Sequence, residues 1–256
     1  MTTVPRAVEY GSRFAGHTAV VTGAGSGIGL ATATMIIQDG GTVFAVDVSQ
    51  SRLDDAAARL GSAYHPLAVD ITSPDGPAQI AAASGDTIDI LINNAGIMDG
   101  FLPITELDDA TWEKVLAVNM TSQMRLIRQF LPHMLVAGAG AIVNVSSEAS
   151  LRTCAGIAYT VSKHGVNGIT HHVAAIYGPQ GIRCNAVAPG GVNTNVGGDF
   201  LSQLVAARLG PALAATAPAP AEPELLARAI CFLADNHAAA NINGIVLPVD
   251  GGWSVM

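Results

Sequence analysis

Apolar residues along this chain follow two alternating patterns. Short β-branched runs, hydrophobic at nearly every position, are separated by longer Ala-rich stretches whose apolar residues recur at helical spacing. The runs predict strands over residues 18–21, 42–46, 67–69, 88–92, 141–145, 183–186 and 245–248, and the stretches between them predict helices. A strand that is apolar without alternation is buried on both faces, which requires a parallel sheet covered by helices on either side. Strands alternating with helices predict an α/β fold, a doubly wound parallel sheet of about seven strands.

The pattern begins near residue 17, so residues 1–16 are expected to be an N-terminal tail and residues 17–256 one domain, long enough to bury a sizeable core. Residues 190–222 break the rhythm with paired glycines and the run PALAATAPAPAE. They read either as a flexible surface connection or as a lid over a substrate.

Composition narrows the partners. Only 12% of residues are charged, against about 25% in a typical soluble domain, so sister subunits are expected to cover part of the surface. A net charge of -8 without any Lys/Arg cluster argues against nucleic acid, because phosphate binding needs concentrated positive charge. A small molecule is the expected partner. Cys154, Cys184 and Cys231 are odd in number and lack metal-type spacing, and the first residues lack the apolar core of a signal peptide; both features point to the cytoplasm. No apolar run approaches the roughly 18 residues that span a bilayer, so no membrane association is expected. Adjacent His171 and His172 would point about 100° apart on a helix, a poor metal pair, and no metal site is expected.

The stretch TAVVTGAGSGIG sets Gly23, Gly27 and Gly29 directly after the first strand, at the start of a helix. Glycines there permit a tight turn and let a pyrophosphate approach the backbone N–H groups of the helix N-terminus. In the expected doubly wound sheet, a Rossmann fold, such a turn is a candidate phosphate site, here spaced G-x-x-x-G-x-G because Ile28 stands between the last two glycines. Asp47 follows at the end of the second strand, where a carboxylate accepts bonds from both hydroxyls of an adenosine ribose and repels a 2′-phosphate. With Ser26 rather than a basic residue before Gly27, NAD is favoured over NADP.

Tyr159 and Lys163 lie four apart in a stretch that reads as a helix, so both side chains emerge on one face. A lysine cation near a phenol stabilises phenolate. Lowering a tyrosine pKa from about 10 to about 7 takes about 4 kcal/mol, which a cation at a low-dielectric site can supply together with a positive nicotinamide ring. Tyrosine then exchanges a proton with an alcohol or ketone oxygen near neutral pH.

Taken in order, TGAGSGIG, the NNAG of Asn93 to Gly96, Asn119 in AVNM, the serine ending IVNVSS, YTVSK, the PGGVNT of Pro189 to Thr194 and the closing VDGGW resemble the short-chain dehydrogenase/reductase family over residues 16–256. The resemblance implies a catalytic set of Asn119, a serine, Tyr159 and Lys163. Tyr159 would be the general acid/base, and Lys163 would hold the nicotinamide ribose and lower the phenol pKa. Asn119 would anchor a water beside the lysine. Gly23, Ser26, Gly27, Ile28 and Gly29 would form the cofactor turn, with Asn94 near the adenosine ribose, Asp70 and Ile71 at the adenine, and Val192 and Thr194 at the nicotinamide carboxamide. A homotetramer is implied as well.

Two serines compete for the catalytic place. Counting thirteen back from Tyr159, the family's usual spacing, reaches Ser146; the strand-end position in IVNxSS is Ser147. Successive residues of a strand point to opposite faces, so only one can face Tyr159. A one-residue deletion in the following loop, which tolerates length changes better than a buried strand does, favours Ser147. The expected reaction is NAD-dependent interconversion of a secondary alcohol and its ketone, with a catalytically silent NAD(H)-binding sensor or scaffold as the alternative. A hydrolase is disfavoured because the sequence has no G-x-S-x-G elbow. Residues 98–101, 148–152 and 195–222 are expected to line the substrate pocket.

Overall fold

Along the chain, β1 (Thr18–Thr22) leads to α1 (Gly27–Gln38), β2 (Thr42–Asp47), α2 (Gln50–Leu60), β3 (Tyr64–Ala68), α3 (Gly76–Ser84) and β4 (Ile90–Asn93). The second half runs α4 (Asp109–Leu116), α5 (Ser122–Ala137), β5 (Gly140–Val145), α6 (Ile157–Tyr177), β6 (Ile182–Pro189), α7 (Gln203–Thr216), α8 (Pro223–Ala234) and β7 (Val246–Val249). These elements belong to a computed structural model that describes residues 12–85, 87–197 and 199–256. All seven strands pair in parallel in the order β3-β2-β1-β4-β5-β6-β7.

The strand alternation assigns each apolar residue to one of two layers. Ala19 and Val21 of β1, Ile90 and Ile92 of β4, and Ala141, Val143 and Val145 of β5 pack with Ala33 and Ile36 of α1, Leu53 of α2 and Ile230 of α8. Val20, Leu91 and Ile142 face the other way, onto Ile80 of α3, Leu126 and Phe130 of α5 and Val173 of α6. This is why the central strands lack a polar face. Each fully buried Ile or Leu contributes about 1.5–3 kcal/mol of transfer free energy.

The edges depart from the sequence expectation. Strand β3 begins three residues earlier than predicted because it pairs only with β2 and leaves His65 and Pro66 exposed. A proline, which has no N–H to donate, is tolerated there because one side of an edge strand is free. His65 stacks on its register partner Phe44, with ring centroids 4.8 Å apart. Strand β6 also runs further than predicted, to Pro189, and is buried throughout. The expected tail falls mostly on residues 1–11, outside the described residues. Its last part is tied down: Phe14 is buried in the core and Arg13 pairs with Asp39. The expected connection at 190–222 contains helix α7, capped by Ser202, whose hydroxyl accepts from the Val205 N–H.

The chain moves outward from β1 to β3 and then returns to place β4 on the other side of β1. A crevice opens at the carboxyl ends of the strands where the winding reverses, the usual ligand position in such sheets.

Candidate active site

A groove of about 600 Å³ follows this carboxyl rim, from the glycine turn after β1 past the ends of β2, β4, β5 and β6. Of the residues predicted from sequence, Gly23, Ser26, Gly27, Ile28, Asp47, Asp70, Ile71, Asn94, Ser147, Tyr159, Lys163, Val192 and Thr194 line it. Gly29 and Asn119 stand one layer behind.

At the glycine turn, side chains are excluded by contact. A Cβ on Gly29 would meet the Gly23 carbonyl oxygen at 2.1 Å. Gly27, at φ +52°, would press a Cβ to 2.9 Å from the Thr194 methyl. Ser26 caps α1 without a side-chain bond to its first turn. The bare N-terminus of α1 therefore faces the groove, which suits a phosphate-sized anion.

Asp47 is nearly buried at the end of β2. One carboxylate oxygen accepts from the Gly25 N–H at 3.1 Å; the other accepts from the Ser49 N–H at 2.9 Å and from Arg52 at 2.8 Å. Arg52, five positions on, was not anticipated from the sequence. Its Nε is buried without a hydrogen-bond partner, and it lines the groove beside Asp47. Asp70 accepts from the N–H and hydroxyl of Thr72, while Ile71 is buried in the groove wall. The Asn94 side chain donates to the Thr22 carbonyl at 2.8 Å, and the Thr22 hydroxyl accepts from the N–H groups of Asn94 and Ala95. Asn94 thus braces the glycine turn. Val192 bridges to Ala221, and the Thr194 hydroxyl accepts from the Val196 N–H.

At the other end of the groove, Lys163 is buried and donates from Nζ to the Val145 carbonyl at 2.8 Å. Nζ lies 5.4 Å from the centre of the Tyr159 ring. Burial lowers the lysine to about 8, so it stays largely cationic at neutral pH. Burial raises the Tyr159 phenol to about 12, against the downward pull of a hydrogen bond with Ser147. The depressed phenol expected from the sequence is therefore not produced by these side chains themselves, because desolvation outweighs them.

The two serines separate as strand alternation requires. Ser146 turns towards α6: its hydroxyl bonds Asn167 at 2.7 Å, the Lys163 carbonyl at 3.3 Å and Ser150 at 3.0 Å. Ser147 lies past the end of β5, accepts from the Ala149 N–H at 3.1 Å, and is the serine beside the Tyr159 phenol.

Asn119 is fully buried in a π-type turn, Ala117–Thr121, between α4 and α5. Its side chain pairs in both directions with the Ile97 backbone, at 2.8 and 2.9 Å, and donates to Ser162 at 3.1 Å. Gly96 lies beside both, for a Cβ there would stand 3.4 Å from the Asn119 oxygen and 3.5 Å from the lysine Nζ. Behind them Asn93, Asn144 and Thr170 form a buried chain of hydrogen bonds at 2.9 Å each.

Asp99 is the residue whose role sequence reasoning missed. Helix α6 is capped by Gly156, which has no side chain to offer; Asp99 supplies the cap from outside, accepting from the Tyr159 N–H at 2.9 Å and from the Phe101 N–H at 3.1 Å. A Gly at a helix start without a Ser, Thr or Asp cap was the available signal.

A parallel doubly wound sheet with an anion-ready glycine turn, an acid ending β2 and a Ser-Tyr-Lys cluster on one rim defines an oxidoreductase of the dinucleotide-binding class. Comparison with known proteins gives the family. The family model described as short chain dehydrogenase matches residues 17–204. A short-chain dehydrogenase/reductase, cdmF, from Talaromyces verruculosus is 38% identical over 248 residues, covering 93% of this chain and 96% of that one. A 3beta-hydroxysteroid dehydrogenase 2 from Eggerthella lenta is 38% identical, covering 94% and 95%. A crystal structure from Beutenbergia cavernae, provisionally assigned as an NAD(P) dependent gluconate 5-dehydrogenase with NADP bound at low occupancy, has 36% identity and a TM-score of 0.80, covering 94% and 98%. The chain belongs to the short-chain dehydrogenase/reductase family.

Proposed function

We propose that this protein is an NAD-dependent oxidoreductase interconverting a secondary alcohol and its ketone, carried by residues 17–256 as one domain. The observation that carries the reading is the meeting of Ser147, Tyr159 and Lys163 at one end of a groove whose other end is the glycine turn and Asp47. In this reading the α1 N-terminus, with Gly23, Ser26, Gly27, Ile28 and Gly29, holds the pyrophosphate of NAD. Asp47 and Asn94 serve the adenosine ribose, Asp70 and Ile71 the adenine, and Val192 and Thr194 the carboxamide. NAD, when bound, accepts a hydride from the alcohol carbon or returns it to the ketone.

The chain's own residues handle the proton. Ser147 orients the substrate oxygen by a hydrogen bond. Tyr159 takes the alcohol proton or delivers one to the ketone oxygen. Lys163, fixed on the Val145 carbonyl, holds the nicotinamide ribose and favours phenolate through its charge. Asn119, held by the Ile97 backbone and bonded to Ser162, anchors a water beside the lysine and so completes the proton relay.

Tyr159→Phe is expected to abolish NADH-linked turnover while leaving NADH binding within about twofold, measured by fluorescence titration. An active Tyr159→Phe variant would sink the reading. The catalytically silent sensor predicts NADH binding without turnover across a ketone panel, and no damage to the serine, tyrosine or lysine supports it.

A second cofactor reading rests on Arg52, which sits 2.8 Å from Asp47 and can offer a 2′-phosphate a partner. The NADP in the Beutenbergia structure is compatible with it. In the NAD reading, NADH binds at least tenfold tighter than NADPH, and Arg52→Ala widens the gap. Tighter NADPH binding by the wild type would reverse the assignment. The buried, unpaired cysteines agree with a cytoplasmic location. The apolar groove between α5 and α6 supports a homotetramer.

A further inference from the structure

Tyr159 belongs to two environments. One is the groove described above. The other is an apolar cluster in which buried Cys154, Ala155 and Trp253 pack with half-buried Met98, Phe101 and Leu213 against the tyrosine. None of these six residues lines the groove. They come from four separate stretches: the loop after β4, the loop after β5, α7 and the C-terminal turn. Their convergence on the phenol forms an apolar wall that shares Tyr159 with the groove.

The charged groups bordering this wall are paired, with one another or with backbone. Arg152 lies 2.8 Å from Glu148 as an ion pair, stacks 4.4 Å over the Trp253 ring and donates to the Met256 carbonyl, while its Nε and both Glu148 oxygens are buried without a hydrogen bond. Glu148 is buried beside Asp250 and Arg152, and burial raises its carboxyl. Asp99 is committed to two backbone N–H groups. The Cys154 thiol is raised to about 11 by burial, which keeps it neutral and apolar in character.

The roof can move at low cost. Helix α7 supplies Leu213 yet buries only Val205, and before it Phe200 meets Phe101 in a tilted ring contact at 4.5 Å while exposing more than a third of its surface. A segment with so little buried apolar area sits at the low-stability end of a fold.

We propose that the substrate is an uncharged, largely hydrocarbon secondary alcohol or ketone, with an alicyclic or fused-ring skeleton seated between Tyr159 and this apolar wall under α7. The proposal rests on the reading of Tyr159 as the proton carrier. A polyol or a chain bearing a carboxylate would have to surrender its hydration to apolar side chains, whose neighbouring charges, Arg152 and Glu148, already pair with each other. Hydrocarbon gains instead, by about fourfold in affinity per buried methylene.

The test is a ketone panel of cyclohexanone, 2-decalone, 4-oxocyclohexanecarboxylate and a keto-sugar acid, with NADH oxidation followed for wild type, Tyr159→Phe and Leu213→Lys. Expected is a KM at least tenfold lower for 2-decalone than for cyclohexanone, and kcat/KM at least a hundredfold lower for both carboxylates than for 2-decalone. Leu213→Lys, at a half-exposed position that tolerates charge, is expected to narrow that carboxylate gap at least tenfold. Binding is read separately by quenching of Trp253 in a Trp112→Phe background, where 2-decalone with NADH quenches and the carboxylates do not. Preferred turnover of a carboxylate, lost in Tyr159→Phe, overturns the substrate class and leaves the enzyme reading standing. Trp253 quenching by 2-decalone without turnover, in wild type and Tyr159→Phe alike, overturns the enzyme reading. Failure of 2-decalone to quench Trp253 overturns the proposed seat at this wall whatever the turnover.

Discussion

Ser146 and Ser147 are chemically identical neighbours that the backbone assigns to different work. Ser146 is buried with three hydrogen-bond partners on α6 and its approach; Ser147 stands past the strand end beside the phenol. Ser147→Ala is expected to lower kcat by about two to three orders of magnitude, as removal of one donor to a reacting oxygen does, with the melting temperature little changed. Ser146→Ala is expected to do the reverse, costing about 1–2 kcal/mol because Asn167 loses a buried partner, with a smaller effect on kcat. Steady-state kinetics and thermal melts of the two variants check this, and equal kinetic losses would contradict the division of labour. Strand alternation made legible that only one of the two serines can face Tyr159, but not which one. Arg52 was not legible. Its tie to Asp47 spans five residues through a turn into α2, and no helix or strand period relates the two.

At the scale of elements, the catalytic helix takes its start from a residue outside it. Asp99 caps α6 through the N–H of Tyr159 itself, and its other oxygen holds Phe101, which at φ +58° is the one non-glycine residue with positive φ among the described residues. The same short loop ties down the substrate side, for Leu102 accepts from the Ile157 N–H and Gly100 from the Leu201 N–H. Asp99 therefore couples three segments. Burial is the main cause that holds the nearby phenol at about 12, and the Asp99 carboxylate adds to it by opposing ionisation. Asp99→Asn keeps an acceptor and removes the charge, so the Tyr159 pKa falls. The limb of the pH–rate profile that reports phenolate in alcohol oxidation should then move to lower pH. The same change should cost about 0.5–2 kcal/mol of stability through the weakened cap. A stability loss with an unmoved profile would mean that Asp99 only caps. Gly156 signals that a cap is missing, but the chain does not say which residue supplies it, because cap and helix lie 60 residues apart and meet only once β4 and β5 are side by side. The central strands were legible because burial on both faces writes itself as unbroken apolar runs. The edges were read less well, since β3 carries His65 and Pro66 where the rule demands apolar residues.

For the whole molecule, the low charge content becomes a statement about one surface. Between α5 and α6 runs an apolar groove lined by Ile127, Leu131, Leu135, Ile169 and Tyr177, with Met124 at its margin more than a third exposed. Gly168 lies in this groove in the middle of a 21-residue helix, where glycine costs about 1 kcal/mol relative to alanine. No contact among the described residues explains it: a Cβ there would meet no atom of theirs within 4 Å. Gly165, three residues earlier, is explained from within, because its Cβ would strike the Met120 sulfur at 2.2 Å. A glycine that is free of contact in one copy is what a close-packed helix of a second copy would require, and the proposed tetramer supplies that helix. Gly168→Ala then separates two forces. In an isolated subunit it stabilises α6 by about 1 kcal/mol; in an assembly packed on Gly168 it inserts a methyl group where backbones meet and weakens association. Gly168→Glu adds charge to the same place and is expected to leave the fold intact while shifting the protein from tetramer to smaller species. Sedimentation velocity across a tenfold concentration range, with circular dichroism on the same samples, reads both effects. If Gly168→Glu sediments like the wild type, this face is not an interface and the glycine must answer to something else. If it dissociates and loses turnover as well, then the α5–α6 contact also steadies the Tyr159 end of the same helix, nine residues away and facing the groove.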